Sequence, residues 1–142
     1  MAYYGLGTEE EILSALETSI SQVSGIKFVD YQRAYYSGAG IDKYPGVFIN
    51  AVATDKERLL KDLVRNEFGI QLVLWVWASE GESLITKQNE FINSVKDKIM
   101  EDPTQNSKAY DTVIESVATD AGSRHPQAVC VINLKVIFFS QE

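Results

Sequence analysis

Glu67-Phe-Gly-Ile-Gln-Leu-Val-Leu-Trp-Val-Trp-Ala78 is the stretch on which the fold turns. Phe68, Ile70, Leu72, Leu74 and Val76 alternate along one side, and Gly69, Gln71, Val73, Trp75 and Trp77 along the other. A period of two over this length marks a strand with one side in a core. Its second side begins polar and ends aromatic, so the far end of that side is expected to be covered as well. The tryptophan pair reads as core or subunit contact in preference to a ligand box.

A partner strand lies near the other end of the chain. From Ala128 to Phe139, Cys130, Ile132, Leu134, Val136 and Phe138 repeat the pattern, while Val129, Val131, Asn133, Lys135, Ile137 and Phe139 make a mixed second face. A shorter strand is expected from Asp111 to Ala118, with Val113 and Val117 on one side and Ile114 on the other. Val47 to Thr54 reads as another strand, with Val47, Ile49 and Ala51 sharing a side. Residues 26–36 are β-like in composition through Phe28, Val29, Tyr31, Tyr35 and Tyr36. Between these two lies Ser37-Gly-Ala-Gly-Ile-Asp-Lys-Tyr-Pro-Gly46, whose glycines and proline predict a flexible loop. Residues 55–66 are ambiguous. Leu59, Leu60, Leu63 and Val64 could line a helix, yet two strand ends and a turn fit equally, and an extended or irregular connector is the reading adopted.

Two helices complete the layout. Thr8-Glu-Glu-Glu11 is a T-x-x-E capping box whose acids suit the positive end of a helix dipole. Ile12, Leu13, Leu16, Ile20 and Val23 follow at helical spacing, with Gly25 as the expected stop. The second helix is expected to open at Ser79-Glu-Gly-Glu82 and to bury Leu84, Ile85, Phe91, Ile92, Val95 and Ile99. Lys87, Glu90, Lys96, Asp97 and Lys98 form its solvated side and Pro103 ends it, before an exposed loop at Gln105–Lys108. The predicted fold is therefore a two-layer α+β sandwich spanning 1–142 as one domain. It has a mainly antiparallel sheet of four to five strands with two helices on one face.

Composition narrows the function classes. Twenty acidic against 13 basic residues give a net charge of −7, without the clustered Lys and Arg of a nucleic-acid grip. No apolar run approaches the ~20 residues of a membrane helix. The start Met1-Ala-Tyr-Tyr-Gly5 lacks the basic and apolar parts of a signal peptide. One cysteine, Cys130, and one histidine, His125, fall short of a structural zinc set. Glu9, Glu10 and Glu11 are explained as a helix start. Asp120, Ser123 and His125 spell a nucleophile-base grouping, but no elbow motif surrounds the serine. Gly5-Leu-Gly7 and Gly38-Ala-Gly40 lack the strand-to-helix setting of a phosphate loop. No catalytic, metal or cofactor residue is assigned. Tyr35, Tyr36, Tyr44, Trp75, Trp77 and Arg124 are the candidate interface residues, since aromatics and Arg are enriched where proteins meet.

The order of the pieces resembles the tail terminator (tail-completion) proteins of long-tailed bacteriophages, over most of the chain. The pieces are Glu11-Ile-Leu-Ser-Ala-Leu16 leading to Val23-Ser-Gly-Ile-Lys27, then Tyr44-Pro-Gly-Val-Phe-Ile49, then Asn66-Glu-Phe-Gly-Ile-Gln-Leu-Val-Leu-Trp-Val76. Asn89-Glu-Phe-Ile-Asn-Ser-Val95, Asp111-Thr-Val-Ile-Glu-Ser-Val-Ala-Thr-Asp120 and a strand led by Pro126 follow. The resemblance implies a structural virion protein of the tail and neck region, assembled in the host cytoplasm, that forms a ring, usually a hexamer, on the head-proximal end of the tail tube. Such a ring ends tube polymerisation and docks the head-side connector. The implied partners are further copies of the chain, the tail tube protein, the connector, and a sheath or sheath-associated protein where the tail is contractile. DNA passes the lumen without specific binding, and no enzyme activity, cofactor or membrane is implied. The alternatives are another neck or head-completion protein, and a small-molecule-binding or hydrolytic domain using Asp120, Ser123 and His125.

Overall fold

A computed structural model describes residues 7–30, 45–77, 83–106, 108–119 and 127–141. The elements are α1 (Glu9–Ile20), β1 (Phe28–Asp30), β2 (Gly46–Leu60), β3 (Leu63–Trp77), α2 (Leu84–Glu101), β4 (Asp111–Thr119) and β5 (Gln127–Gln141). The five strands form one sheet in the order β1-β2-β3-β5-β4. The short β1 is parallel to β2, and every other pairing is antiparallel. The expected two-layer α+β sandwich is the architecture found.

β3 and β5 are the spine. They pair without a break from Leu63 against Gln141 to Trp77 against Gln127. Phe68, Ile70, Leu72, Leu74 and Val76 share one core with Cys130, Ile132, Leu134, Val136 and Phe138, so the sheet side named by the alternation is the helix side. Ile12, Leu13, Leu16 and Ile20 of α1 and Phe91, Ile92, Val95 and Ile99 of α2 close that core from above. Burying such a continuous apolar layer is the main driving term for a domain of this size. Phe68 and Phe138 meet edge to face, with ring centroids 6.4 Å apart.

Helix starts follow side-chain chemistry. Thr8 Oγ1 accepts the Glu11 N–H at 3.2 Å and donates to the Glu11 carboxylate, the reciprocal box read from the sequence. The second start is four residues later than expected. Ser83, and not Ser79, is the N-cap, accepting the Thr86 N–H at 3.3 Å. With that phase Ile85 is exposed and Gln88 takes the inward place, donating from Nε2 to the Val129 carbonyl at 3.3 Å. α1 stops at Ile20 with Ser21 as C-cap, and Gly25 (φ 81°) ends the turn beyond it.

Three further expectations change. Residues 55–66 are neither helix nor irregular connector but two strand ends joined by a turn at Lys61-Asp62. Both sides of β2 are exposed there, so selection for alternation is absent and the period-two signal disappears. In β4 a bulge between Ile114 and Ser116 changes the phase. Val113 stands opposite Lys135 on the open side while Val117 stands opposite Ile132 on the helix side, so the two valines do not share a face. Finally, Gln105 is not loop surface. It is buried with φ 49°, and its Nε2 donates to Thr112 Oγ1 at 3.0 Å, which itself donates to the Pro103 carbonyl at 2.7 Å. This pair ties the turn after α2 to the start of β4.

Candidate functional site

The sheet face turned away from the helices has three zones along its strands. At one end Phe48 and Trp75 are buried against each other, with Val73, Trp77 and Val129 packed around them. Trp75 and Trp77 therefore lie together in a small second core, and Trp77 also borders a cleft of about 320 Å³ with Pro45, Lys87 and Phe91. The middle is uncharged and polar: Asn50, Gln71 and Asn133 lie in register across three strands, and Asn133 donates to Ser116 Oγ at 2.9 Å. The third zone is charged. Arg65 reaches Glu67 at 2.8 Å, and Lys135 lies 3.5 Å from both Glu67 and Glu115.

Hydrogen bonding from Arg65, with the Lys135 charge beside it, holds the Glu67 carboxyl below the usual carboxylate range. Glu115, followed by Glu67, holds the Lys135 ammonium above its usual value. These groups are open to solvent, so the ladder contributes little to folding and mainly fixes a charge pattern. Beyond it Tyr110 stacks edge to face on Phe139 at 5.8 Å.

The sheet borders carry the larger anomaly. β1 pairs with β2 only at Gly46, Val47 and Phe48, so from Ile49 to Leu60 the outer border of β2 has no strand beside it among the described residues. At the opposite border β4 is paired, among the described residues, only on its β5 side. Large apolar side chains are exposed on both: Val52 (66%), Leu59 and Leu60 (62%) on β2, and Val113 and Val117 on β4. None of these residues is among the interface candidates read from the sequence. Leu59-Leu60 stand between Asp55-Lys-Glu-Arg58 and Lys61-Asp62, and their spacing to Leu63 and Val64 made them read as one side of a possible helix.

Elsewhere among the described residues chemistry is sparse. An open cleft of about 640 Å³ lies between α1 and the turn after α2, lined by Glu10, Glu11, Ser14, Thr18, Asp102 and Asn106. Its charges are already engaged: Lys108 pairs with Glu11 at 2.9 Å, and Asp102 accepts from the Thr104 hydroxyl and the Asn106 N–H, each at 2.7 Å. The Lys108 hydrogen bond lowers the Glu11 pKa, and the Thr104 hydroxyl is the chief cause of the lowered Asp102 pKa. Among the described residues no group of three or more His, Cys, Asp and Glu side chains could hold a metal ion. No helix among them is long and apolar enough to cross a membrane. Gly7 of the bare G-x-G match has a packing role, since a Cβ there would come within 2.5 Å of the Lys108 carbonyl oxygen. Tyr35, Tyr36, Tyr44 and Arg124, and the Asp120, Ser123, His125 grouping, lie outside the described residues. No protein-family model matches this chain, and no curated protein matches it.

Proposed function

We propose that this chain is the subunit of a closed ring, six-membered by its resemblance to phage tail terminators, that caps the head-proximal end of a tail tube. In this role it ends tube polymerisation and offers its far side to the head connector. The observation that carries the reading is the pair of open, apolar-bearing borders at opposite sides of one sheet. An exposed strand border is a template for another chain, and proteins normally blunt it. Here Val52, Leu59 and Leu60 of β2 and Val113 and Val117 of β4 carry exposed apolar side chains.

Two different borders on one subunit make a heterologous contact, which repeats until a rotation closes it into a ring. Strand polarity agrees with such closure. β2 and β4 run in opposite directions, because β3 is antiparallel to both β2 and β5, and β5 is antiparallel to β4. Subunits related by rotation about an axis near the strand direction keep their polarity, so β4 of one copy meets β2 of the next in the antiparallel sense. The excess of acidic residues suits a lumen through which DNA slides without adhering, since phosphate is repelled.

Light scattering with and without the tube protein tests this. The expected result is a discrete multiple of 15.9 kDa that forms alone or on addition of the tube protein. A mass that stays at one subunit in both conditions refutes the reading. Electron microscopy of particles made without the protein gives a second test. Overlong, unterminated tails are expected, whereas normal tails beside DNA-filled heads would assign the chain to another neck position.

A further inference from the structure

We infer that Asn66 is a register lock: its buried amide fixes β3 against β5 at one of several heights that the apolar pattern alone would accept. The lock belongs to the isolated chain and does not depend on the ring reading.

β3 and β5 have no short connection to align them. The turn at Lys61-Asp62 sets β2 against β3, whereas α2 and β4 lie between β3 and β5 in the chain. Alternation excludes only odd steps, since an odd step would turn every inward residue outward. A step of two keeps each side in place. On the helix side it still sets the run Phe68, Ile70, Leu72, Leu74 and Val76 against apolar residues of β5. Exchanges among aliphatic side chains of similar volume cost little in a core.

Asn66 breaks this equivalence. It is 1% exposed, is the one polar residue of β3 on the helix side, and stands opposite Phe138. Its Nδ2 donates across the strands to the Phe138 carbonyl at 3.3 Å and to Ser140 Oγ at 3.0 Å. Within β3 it also donates to the Val64 carbonyl at 3.4 Å. Its Oδ1 meets no donor among the described residues, so the amide stabilises the core less than an apolar side chain of its shape would. A buried polar group of this kind selects one arrangement over its rivals, as a buried Asn fixes the register of a coiled coil.

The lock acts in one direction. Sliding β3 until Leu72 faces Cys130 instead of Ile132 sets Asn66 against Val136, four residues from the level of Ser140. The open side does not resist this slide, because Glu67 would then face Lys135 directly and keep its ion pair. The opposite slide brings Ser140 level with Asn66, so the amide does not oppose it. There the Lys135–Glu67 pair parts instead. The edge-to-face contact of Phe68 with Phe138 also parts in the first slide and is the competing cause. Two residues amount to roughly 6–7 Å of travel. Leu59 and Leu60 ride with β3, and Val113 and Val117 with β5, so the lock sets the height of one exposed apolar pair against the other.

Cys130 reads that height, because facing residues bring Cβ atoms to ~4.5–5.5 Å, near disulfide range, and residues two further along do not. Each variant is refolded from urea in a thiol–disulfide buffer, then unfolded and alkylated, and its mass counts the free thiols. With Asn66 retained, Leu74→Cys is expected to link to Cys130 and Leu72→Cys to stay free. Adding Asn66→Leu is expected to raise the linked fraction of Leu72→Cys by roughly tenfold, the scale of one buried hydrogen-bonding group, while Val76→Cys stays free. Asn66→Leu by itself is expected to keep or raise the urea midpoint, and Asn66→Ala gives the same linkage where leucine does not fit. An unchanged linked fraction in the Asn66 variants overturns the proposal. Equal linkage on Phe68→Leu with Asn66 retained also overturns it, by giving the role to the ring pair. Loss of the urea transition in both Asn66 variants overturns it as well, since the amide would then hold the fold and not choose its register.

Discussion

β2 and β3 are both fifteen residues long, are joined by one turn and are hydrogen bonded to each other, yet they live in different environments. β3 alternates buried and half-buried residues from Leu63 to Leu74, because the helices cover one side, and Trp75 is buried as well in the second core. β2 is buried at Val47, Phe48 and Ile49 and then exposed almost throughout. The difference teaches that a strand can be fixed by its partner's register alone. β3 is held by the core, and the outer half of β2 is held by β3. Val52, Leu59 and Leu60 are exposed on that outer half.

The comparison is broken most strongly by cutting into β3. Leu72→Ala removes a fully buried side chain and is expected to lower unfolding free energy by ~3–5 kcal/mol in urea titration. A loss below ~1 kcal/mol would mean that the β3 core is not the stabilising centre. Next comes the anchor of the opposite border. Thr112→Val takes a partner from buried Gln105 and from the Pro103 carbonyl, and is expected to cost about 1–3 kcal/mol. Smaller is Ser83→Ala at the N-cap of α2, the helix backing β3 and β5, at ~1 kcal/mol.

The turn after α2 adds a pH dependence. Asp102 has a lowered pKa in the fold, so its contribution is complete above the ordinary aspartate value and is lost as pH falls through the lowered one. The stability difference between the wild type and Asp102→Ala is therefore expected to be constant near neutral pH and to shrink in acid. Urea midpoints measured across that range check it. Least of all for folding is Leu60→Ser, which is expected to change stability by no more than ~0.5 kcal/mol because the side chain is mostly in solvent. On the proposed ring reading, its expected effect is a lower yield of rings. A large folding cost there would erase the contrast between the two strands.

Most of the layout was legible because it is driven by burial. The alternation in Phe68–Val76 and Cys130–Phe138 and the helical spacing in Ile12–Ile20 each reflect one covered side, and the structure places them there. Legibility failed where burial is two-sided, absent or polar. Residues 55–60 lie exposed on both sides and carry no period. The phase of β4 was hidden by a bulge, which a residue pattern does not announce. Gln105, Gln88 and Asn66 are buried through hydrogen bonds, Asn66 donating to the Val64 and Phe138 carbonyls and to Ser140 Oγ. Their neighbours in space, and not their polarity, put them inside. Of the candidate site residues, Trp75 and Trp77 are found together, and the exposed border residues that carry the proposal were not foreseen.

Cys130 lies fully buried on the helix side of β5, between Leu74 of β3 and Thr119 of β4. As the sole thiol of the chain it is a built-in reporter. A thiol-reactive dye can reach it only when the spine strands part or the helix layer lifts. Its labelling rate therefore times the deepest opening of the molecule, and any partner that clamps the sheet will slow that clock.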